Sequence, residues 1–349
     1  MMLLLPVIIL LKSFTVMASS PLCTGNFCEL QNMLFDWIRQ NGGEVSEKVE
    51  FSTGSDPAWN IRGIFAIEDI EEGETILKLN KNLHVCRPNM CEVVVDIAEE
   101  LRKGAASYWL PYLKSMEDHE ADIPNIWTDE ERGLFHGLYP QDWTRHTEWF
   151  EAVCEGRLDD PHTVRALVLV VARSHGLGDD SCMSPFYDAL NHDNTLLNTF
   201  IDFEDGIMLI RASQRIGAGQ QVFNTFGDQG VGRFVRDYGF VPARPHVWEF
   251  IGRDGKEYSF HLIENDHGFL DINPNPNGND HQNDLQHYLA EITEHLHALL
   301  EYDPFQIENV SAMRESRVNL ARSYRAEYVY GLQVARQALY SQLTGNSEM

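Results

Sequence analysis

The sequence lacks the short motifs that anchor several large enzyme classes. It has no G-x-S-x-G elbow to expose a serine nucleophile, and no Walker or G-x-G-x-x-G loop to cradle a phosphate. Serine hydrolases of the elbow type and the usual nucleotide-binding enzymes therefore have no anchor here. Basic residues are scarce: 27 Lys and Arg stand against 53 Asp and Glu, a formal charge of −26 in 349 residues. Such a field repels phosphate backbones and anionic lipid, so nucleic acid is not an expected partner. A basic protein or tail is electrostatically acceptable, and a solvated acidic surface with no particular partner is the plainer reading. Carboxylate pairs such as Asp202 and Asp205 arise by chance in so acidic a chain and anchor no glycosidase chemistry.

Long apolar runs are also rare. The one run, Met1 to Leu11, is followed by small residues around Val16-Met17-Ala18, which reads as a secretory signal peptide over residues 1–18. Lys12 stops the run short of the roughly 20 residues of a membrane span. No basic residue precedes the run, which leaves an uncleaved anchor as the alternative. The expectation is entry into the secretory pathway, to secretion, the endoplasmic reticulum or a plastid reached by that route, with no stable membrane insertion after cleavage.

Cysteines number only six, but six is even and suits an oxidising compartment. Cys23 with Cys28 and Cys86 with Cys91 form two C-x4-C pairs that could be bridged to one another, and these four are expected to be oxidised. A zinc site is the alternative, with no histidines placed to complete it. The chain holds one N-x-S sequon, Asn309-Val310-Ser311, a glycosylation acceptor if the secretory reading holds.

What is present is a 43% hydrophobic, globular composition that can fill a substantial core. The stretch "LQNMLFDWIRQ" has apolar residues at helical spacing and ends at Asn41-Gly42-Gly43. Two β-rich runs, Ile64–Ile67 and Thr75–Leu79, flank an acidic turn at Gly73 and read as a hairpin-like start. From about residue 93 to 160 the segments "SYWLPYLKSM", "WTDEERGLFHGL" and "TEWFEAVCEG" predict short helices, and strands return with "LLNTFIDFED", "IMLIRA" and "QQVFN". From Asp284 the pattern is helical. Leu285, Leu289, Ile292, Leu296 and Leu299 share one face, and a second helix is expected from about Met313 to Leu343. The preceding "DINPNPNGNDHQND" reads as a linker. Asn273, Asn275, Asn277, Gly278 and Asp284 fall at calcium-loop positions, but two prolines, a neutral first ligand and a short last carboxylate suit the ion poorly. His295 and His297 lie two apart on a helix and face different ways, so no metal is expected there.

The chemistry concentrates in "SPFYDALNHDN" and "VFNTFGDQGVGRFVRDYGFV". Along the chain, a "RGIFA" strand, a helical insert, "DALNHD", "GQQVFNTFG" and "DYGFV" follow one another. That order resembles the SET-domain methyltransferases, and more closely the class typified by the Rubisco large-subunit lysine methyltransferase, over roughly Phe35 to Val241. The resemblance implies an α+β, β-rich SET fold with a pseudoknot-like crossing, a helical insert and an all-α C-terminal domain. Its implied boundaries are 29–250 for the SET domain, with the insert at about 93–160, and 284–345 for a C-terminal helical substrate-docking domain.

By the same resemblance the cofactor is S-adenosyl-L-methionine, bound through Asn191 and His192, with Arg173 near its carboxylate and with Gly63, Phe65 and Asp188 completing the pocket. An arginine suits a carboxylate because its planar fork pairs bidentately. Methyl transfer from a sulfonium to an amine is an in-line displacement, which needs a deprotonated nitrogen about 3 Å from the methyl carbon. Aromatic walls narrow such a channel and attract a cation to their faces. Tyr238 is the expected catalytic hydroxyl. Phe226 holds the other catalytic position, where the family carries a tyrosine, and it keeps the packing without the hydrogen bond. Two further departures are Ile61 in place of the first glycine of a G-x-G, and Gly230-Val231-Gly232-Arg233 where a polar S-N-x-E is usual. The expected activity is therefore protein-lysine N-methylation of a basic, lysine-bearing protein substrate. The alternative is a SET-fold binding protein whose turnover is weak or lost.

Overall fold

The computed structural model describes residues 26–53, 62–116, 122–204, 206–264, 270–274, 285–307 and 309–344. The expected signal peptide, Cys23, Ile61 and the linker positions 275–284 weighed for calcium lie outside the described residues.

Helix α1 (Asn26–Gln40) stops where the Asn-Gly-Gly signal predicts, with Gly42 in the left-handed region at φ 83°. Strands β1 (Glu44–Val45), β2 (Val49–Thr53), β3 (Arg62–Ala66), β4 (Thr75–Leu79) and β5 (Val85–Arg87) follow. Next come α2 (Met90–Lys103), α3 (Leu110–Ser115), α4 (Asp129–Arg132), α5 (Arg145–Val153) and α6 (Pro161–Arg173). Thr128 and Glu131 start α4 with a reciprocal capping box, and the Asp160 carboxylate caps α6 ahead of Pro161. Strands return as β6 (His175–Leu177), β7 (Asp180–Met183), β8 (Asn191–His192), β9 (Thr199–Glu204), β10 (Ile207–Ala212) and β11 (Phe223–Asn224). After them stand α7 (Val231–Tyr238), β12 (Trp248–Ile251), β13 (Glu257–Glu264), β14 (Leu270–Pro274), α8 (Leu285–Glu301) and α9 (Glu315–Thr344).

The strands form several small sheets: β1-β4-β10-β9, β5-β7-β6, β12-β13-β14, and the pairs β2-β3 and β8-β11. The hairpin expected between the Ile64 and Thr75 runs does not form. β3 pairs with β2, while β4 lies between β1 and β10. Ile76, Leu77 and Leu79 of β4 are all buried, so this strand needs cover on both faces and partners on both edges. The acidic turn instead crosses between sheets and is pinned where Ile70 and Ile216 exchange two backbone hydrogen bonds of 2.9 Å.

The cysteines also pair otherwise than their spacing suggested. Cys86 and Cys91 are oxidised, but Cys86 bonds Cys182, its register partner across β5 and β7, and Cys91 on α2 bonds Cys154 just past α5. Four residues of spacing placed Cys86 on a strand and Cys91 on a helix, which carry them toward different neighbours.

Two apolar cores result. One packs α1, α2 and α6 against the β-rich body. The other joins Trp127, Phe135 and Trp143 of the insert to α7, the β12-β13-β14 sheet, α8 and α9. Ile292, Leu296 and Leu299 enter this second core as their spacing predicted, with Leu285 and Leu289 at its margin. Arg317 of α9 bridges it polarly, donating to Asp122 at 2.7–3.0 Å and to Glu131, with its guanidinium 5.3 Å from the Trp127 ring centroid. His295 is half-buried against Phe250 and Tyr328, while His297 faces solvent near Glu301. Among the described residues, no helix is long and apolar enough to cross a membrane.

Candidate active site

Asn191 and His192 form a two-residue strand. As β8 they pair in parallel with Phe223 and Asn224 of β11, Asn191 opposite Phe223 and His192 opposite Asn224. This short ladder lays the Asn-His segment against the strand that leads into Thr225-Phe226-Gly227. A cleft of about 470 Å³ opens beside it, bordered by Arg173, Asp188, Asn191, His192, Phe226 and Tyr238, with Arg62, Gln221 and Phe240.

One wall is polar. Arg173, the last residue of α6, donates from Nη1 to the Asp188 carbonyl at 2.8 Å. The Asp188 carboxylate accepts from the Tyr112 hydroxyl, so its role is to lock this wall. Asn191 Nδ2 donates to the Arg62 carbonyl at 2.8 Å, tying β8 to β3. The next residue is Gly63, and a Cβ there would stand 2.1 Å from Gln221 Nε2 and 2.8 Å from Asn191 Nδ2. A side chain at this position would push the Gln221 and Asn191 amides aside, and Gly63 itself does not border the cleft. Phe65 does not face it either; it sits in an isolated bridge opposite Gln221. The Gln221 Nε2 is buried and has no hydrogen-bond partner among the described residues.

The other wall is aromatic, and it explains the repeated aromatic-glycine step. Gly227 (φ 95°) and Gly239 (φ 77°) are both left-handed. Gly239 caps α7, its N–H donating to the Phe234 and Val235 carbonyls at 3.1 Å each, so the chain turns sharply just after Tyr238. The two turns deliver their preceding rings to one place: Phe226 and Tyr238 stack with centroids 5.0 Å apart. Phe240 meets Phe226 edge-on at 6.4 Å, and the His192 ring stacks on Phe226 at 5.3 Å and on Phe234 at 4.6 Å.

The His192 tautomer is fixed by a backbone contact. The Phe226 N–H donates to Nδ1 at 3.0 Å, so the neutral ring carries its proton on Nε2. Burial lowers its pKa and keeps the ring neutral, and burial likewise raises the Tyr238 hydroxyl above its usual range.

The sequence motifs thus bring Arg173, Asp188, Asn191, His192, Phe226 and Tyr238 around one cleft and leave Gly63 and Phe65 behind it. Arg62, Gln221, Phe240 and Tyr112 were not among the expected residues. Phe240 directly follows the Tyr-Gly step and was within reach of the same reasoning. Gln221 and Tyr112 come from β-pairing and helix packing between distant segments, which no local spacing signals.

Residues 61–227 match the family described as the SET domain. The whole chain is similar in fold to solved structures of Rubisco LSMT. A crystal structure of the SET domain of LSMT bound to lysine and AdoHcy superposes with a TM-score of 0.60, covering 92% of this chain and 93% of that one at 13% identity. A structure of Rubisco LSMT bound to sinefungin and monomethyllysine gives 0.58 over 90% and 92% at 14% identity. One of Rubisco LSMT bound to AdoMet gives 0.53 over 92% and 97% at 14% identity. At such identities the likeness is one of fold. No curated protein sequence matches the chain.

Proposed function

We propose that the chain is an S-adenosylmethionine-dependent protein-lysine N-methyltransferase. The observation that carries this reading is the convergence, on one cleft, of the Asn191-His192 strand and Arg173 with the stacked Phe226 and Tyr238 rings. The residues fit the cofactor. Arg173 and Arg62 offer cationic hydrogen bonds to a carboxylate, the buried and unpartnered Gln221 Nε2 offers a donor, and the ring faces favour a sulfonium. When bound, S-adenosylmethionine supplies an electrophilic methyl group.

The chain's own residues then set the conditions for the amine. The Phe226, Tyr238 and Phe240 rings give the cleft an apolar border that favours an uncharged side-chain end over a hydrated one. The Tyr238 hydroxyl, held protonated by burial, can accept one hydrogen bond and donate another, so it orients an amine without removing its proton. Neutral His192 already carries a proton on Nε2 and cannot take one there. Neither group is a general base at neutral pH, so the substrate lysine loses its proton to solvent before it is held. A basic, lysine-bearing protein suits the overall charge of −26.

The second reading, a SET-fold binding protein with weak turnover, is favoured by Phe226, whose ring contributes packing and no hydroxyl. Transfer of labelled methyl from S-adenosylmethionine to basic proteins, compared between the natural chain and Phe226→Tyr, separates the two. Activity of the natural chain that changes little on substitution supports the enzyme. Binding without turnover, with a large gain in Phe226→Tyr, supports the binding protein.

A further inference from the structure

We propose that this chain is oxidised and N-glycosylated at Asn309 in a secretory route. The inference does not rest on the methyltransferase reading. Its first support is the pairing of Cys86 with Cys182 and Cys91 with Cys154, across 96 and 63 residues of sequence. These four residues come from two strands, one helix and one helix end, and each finds its partner. Disulfides of this kind form and persist in oxidising compartments and are rare where thiols are kept reduced. The second support is the state of the sequon. Asn309 and Ser311 are exposed on the short connection between α8 and α9. The Asn309 side chain caps nothing and holds no hydrogen bond among the described residues, so a glycan there displaces no contact. The third support is the apolar N-terminal run of the sequence.

The chemistry balances with two ordinary co-reactants. A disulfide-bearing oxidoreductase accepts two electrons and two protons for each bridge and leaves as a dithiol. A lipid-linked oligosaccharide pyrophosphate donates the glycan. The Asn309 Nδ2 forms a bond to the sugar C1, the C1–O bond to the pyrophosphate breaks, the lipid pyrophosphate leaves with the electron pair, and one amide proton is lost to base. The acceptor lies between the two C-terminal helices. A glycan here would keep the α8–α9 connection facing solvent.

The test is expression of the full chain, with its own N-terminal segment, in glycosylating eukaryotic cells. The expected result is a membrane-enclosed or secreted product whose gel mobility shifts on peptide N-glycosidase treatment. That shift should be lost in both Asn309→Gln and Ser311→Ala, the latter keeping Asn309 in place. Non-reducing digests should yield the Cys86–Cys182 and Cys91–Cys154 peptides. A cytosolic product whose four cysteines alkylate without prior reduction would overturn the proposal, as would a secreted product with Asn309 unmodified.

Discussion

Acid should cost this protein stability through His175, whose size of effect can be worked out. Its ring packs edge-on against Tyr187 with centroids 4.6 Å apart, and its Nε2 lies 3.1 Å from the buried Ser184 hydroxyl, which also meets His84 Nδ1 at 2.6 Å. One hydroxyl proton serves this His-Ser-His arrangement when both rings are neutral, and among the described residues no carboxylate bonds to either ring. Burial, reinforced by the neighbouring His84, holds His175 down to about 4 against an ordinary 6.5. The unfolded chain therefore binds a proton that the folded chain refuses. The His175 contribution is fully present above 6.5 and is lost as pH falls toward 4. At about 1.4 kcal/mol per pKa unit the loss is about 3.5 kcal/mol. Glu249 acts in the opposite sense, since burial raises its carboxyl to about 7 and its contribution is lost as pH rises from 4.5 toward 7. A comparison with a variant isolates the histidine term. Urea unfolding across the acid range, for the natural chain and for His175→Phe, should give a variant whose stability depends on pH less steeply by about 1.4 kcal/mol per unit. Equal slopes in the two proteins would refute the reasoning.

Three other outcomes follow from the geometry. Tyr238→Phe removes the one hydroxyl of the stacked ring pair and should lower the methyl-transfer rate by about 10²- to 10³-fold with little change in cofactor binding, measured under single-turnover conditions. Gly63→Ala pushes a methyl group onto Gln221 and Asn191 and should cost about 1–3 kcal/mol of packing, seen as weaker binding of S-adenosylhomocysteine in titration calorimetry. Arg317→Ala strands Asp122 and Glu131 beside Trp127 and should lower unfolding stability by about 3–5 kcal/mol in denaturant titration.

How much of this was legible beforehand depended on sequence distance. Contiguous signals read well: Asn-Gly-Gly ends α1, and the leucine face of α8 enters the core. The ordered motifs also located the cleft, because Asn191-His192 and the two aromatic-glycine steps each carry their geometry in a few residues. Long-range pairing did not read. The runs that suggested a hairpin belong to different sheets, since periodicity says that a strand exists and not which strand it meets. The disulfide partners of Cys86 and Cys91 lie beyond any spacing rule for the same reason. Gly63, expected at the cofactor, does not border the cleft, and its missing side chain makes room for the Gln221 and Asn191 amides.

The central claim is that the Asn191-His192 strand and the Phe226-Tyr238 pair enclose a site for a methyl donor. Calorimetric titration with S-adenosylmethionine, and then with S-adenosylhomocysteine, tests it without a known substrate. The account predicts saturable binding of both at one site per chain, weakened in Asn191→Ala. No heat of binding from either compound, in a chain shown to be folded, would contradict it.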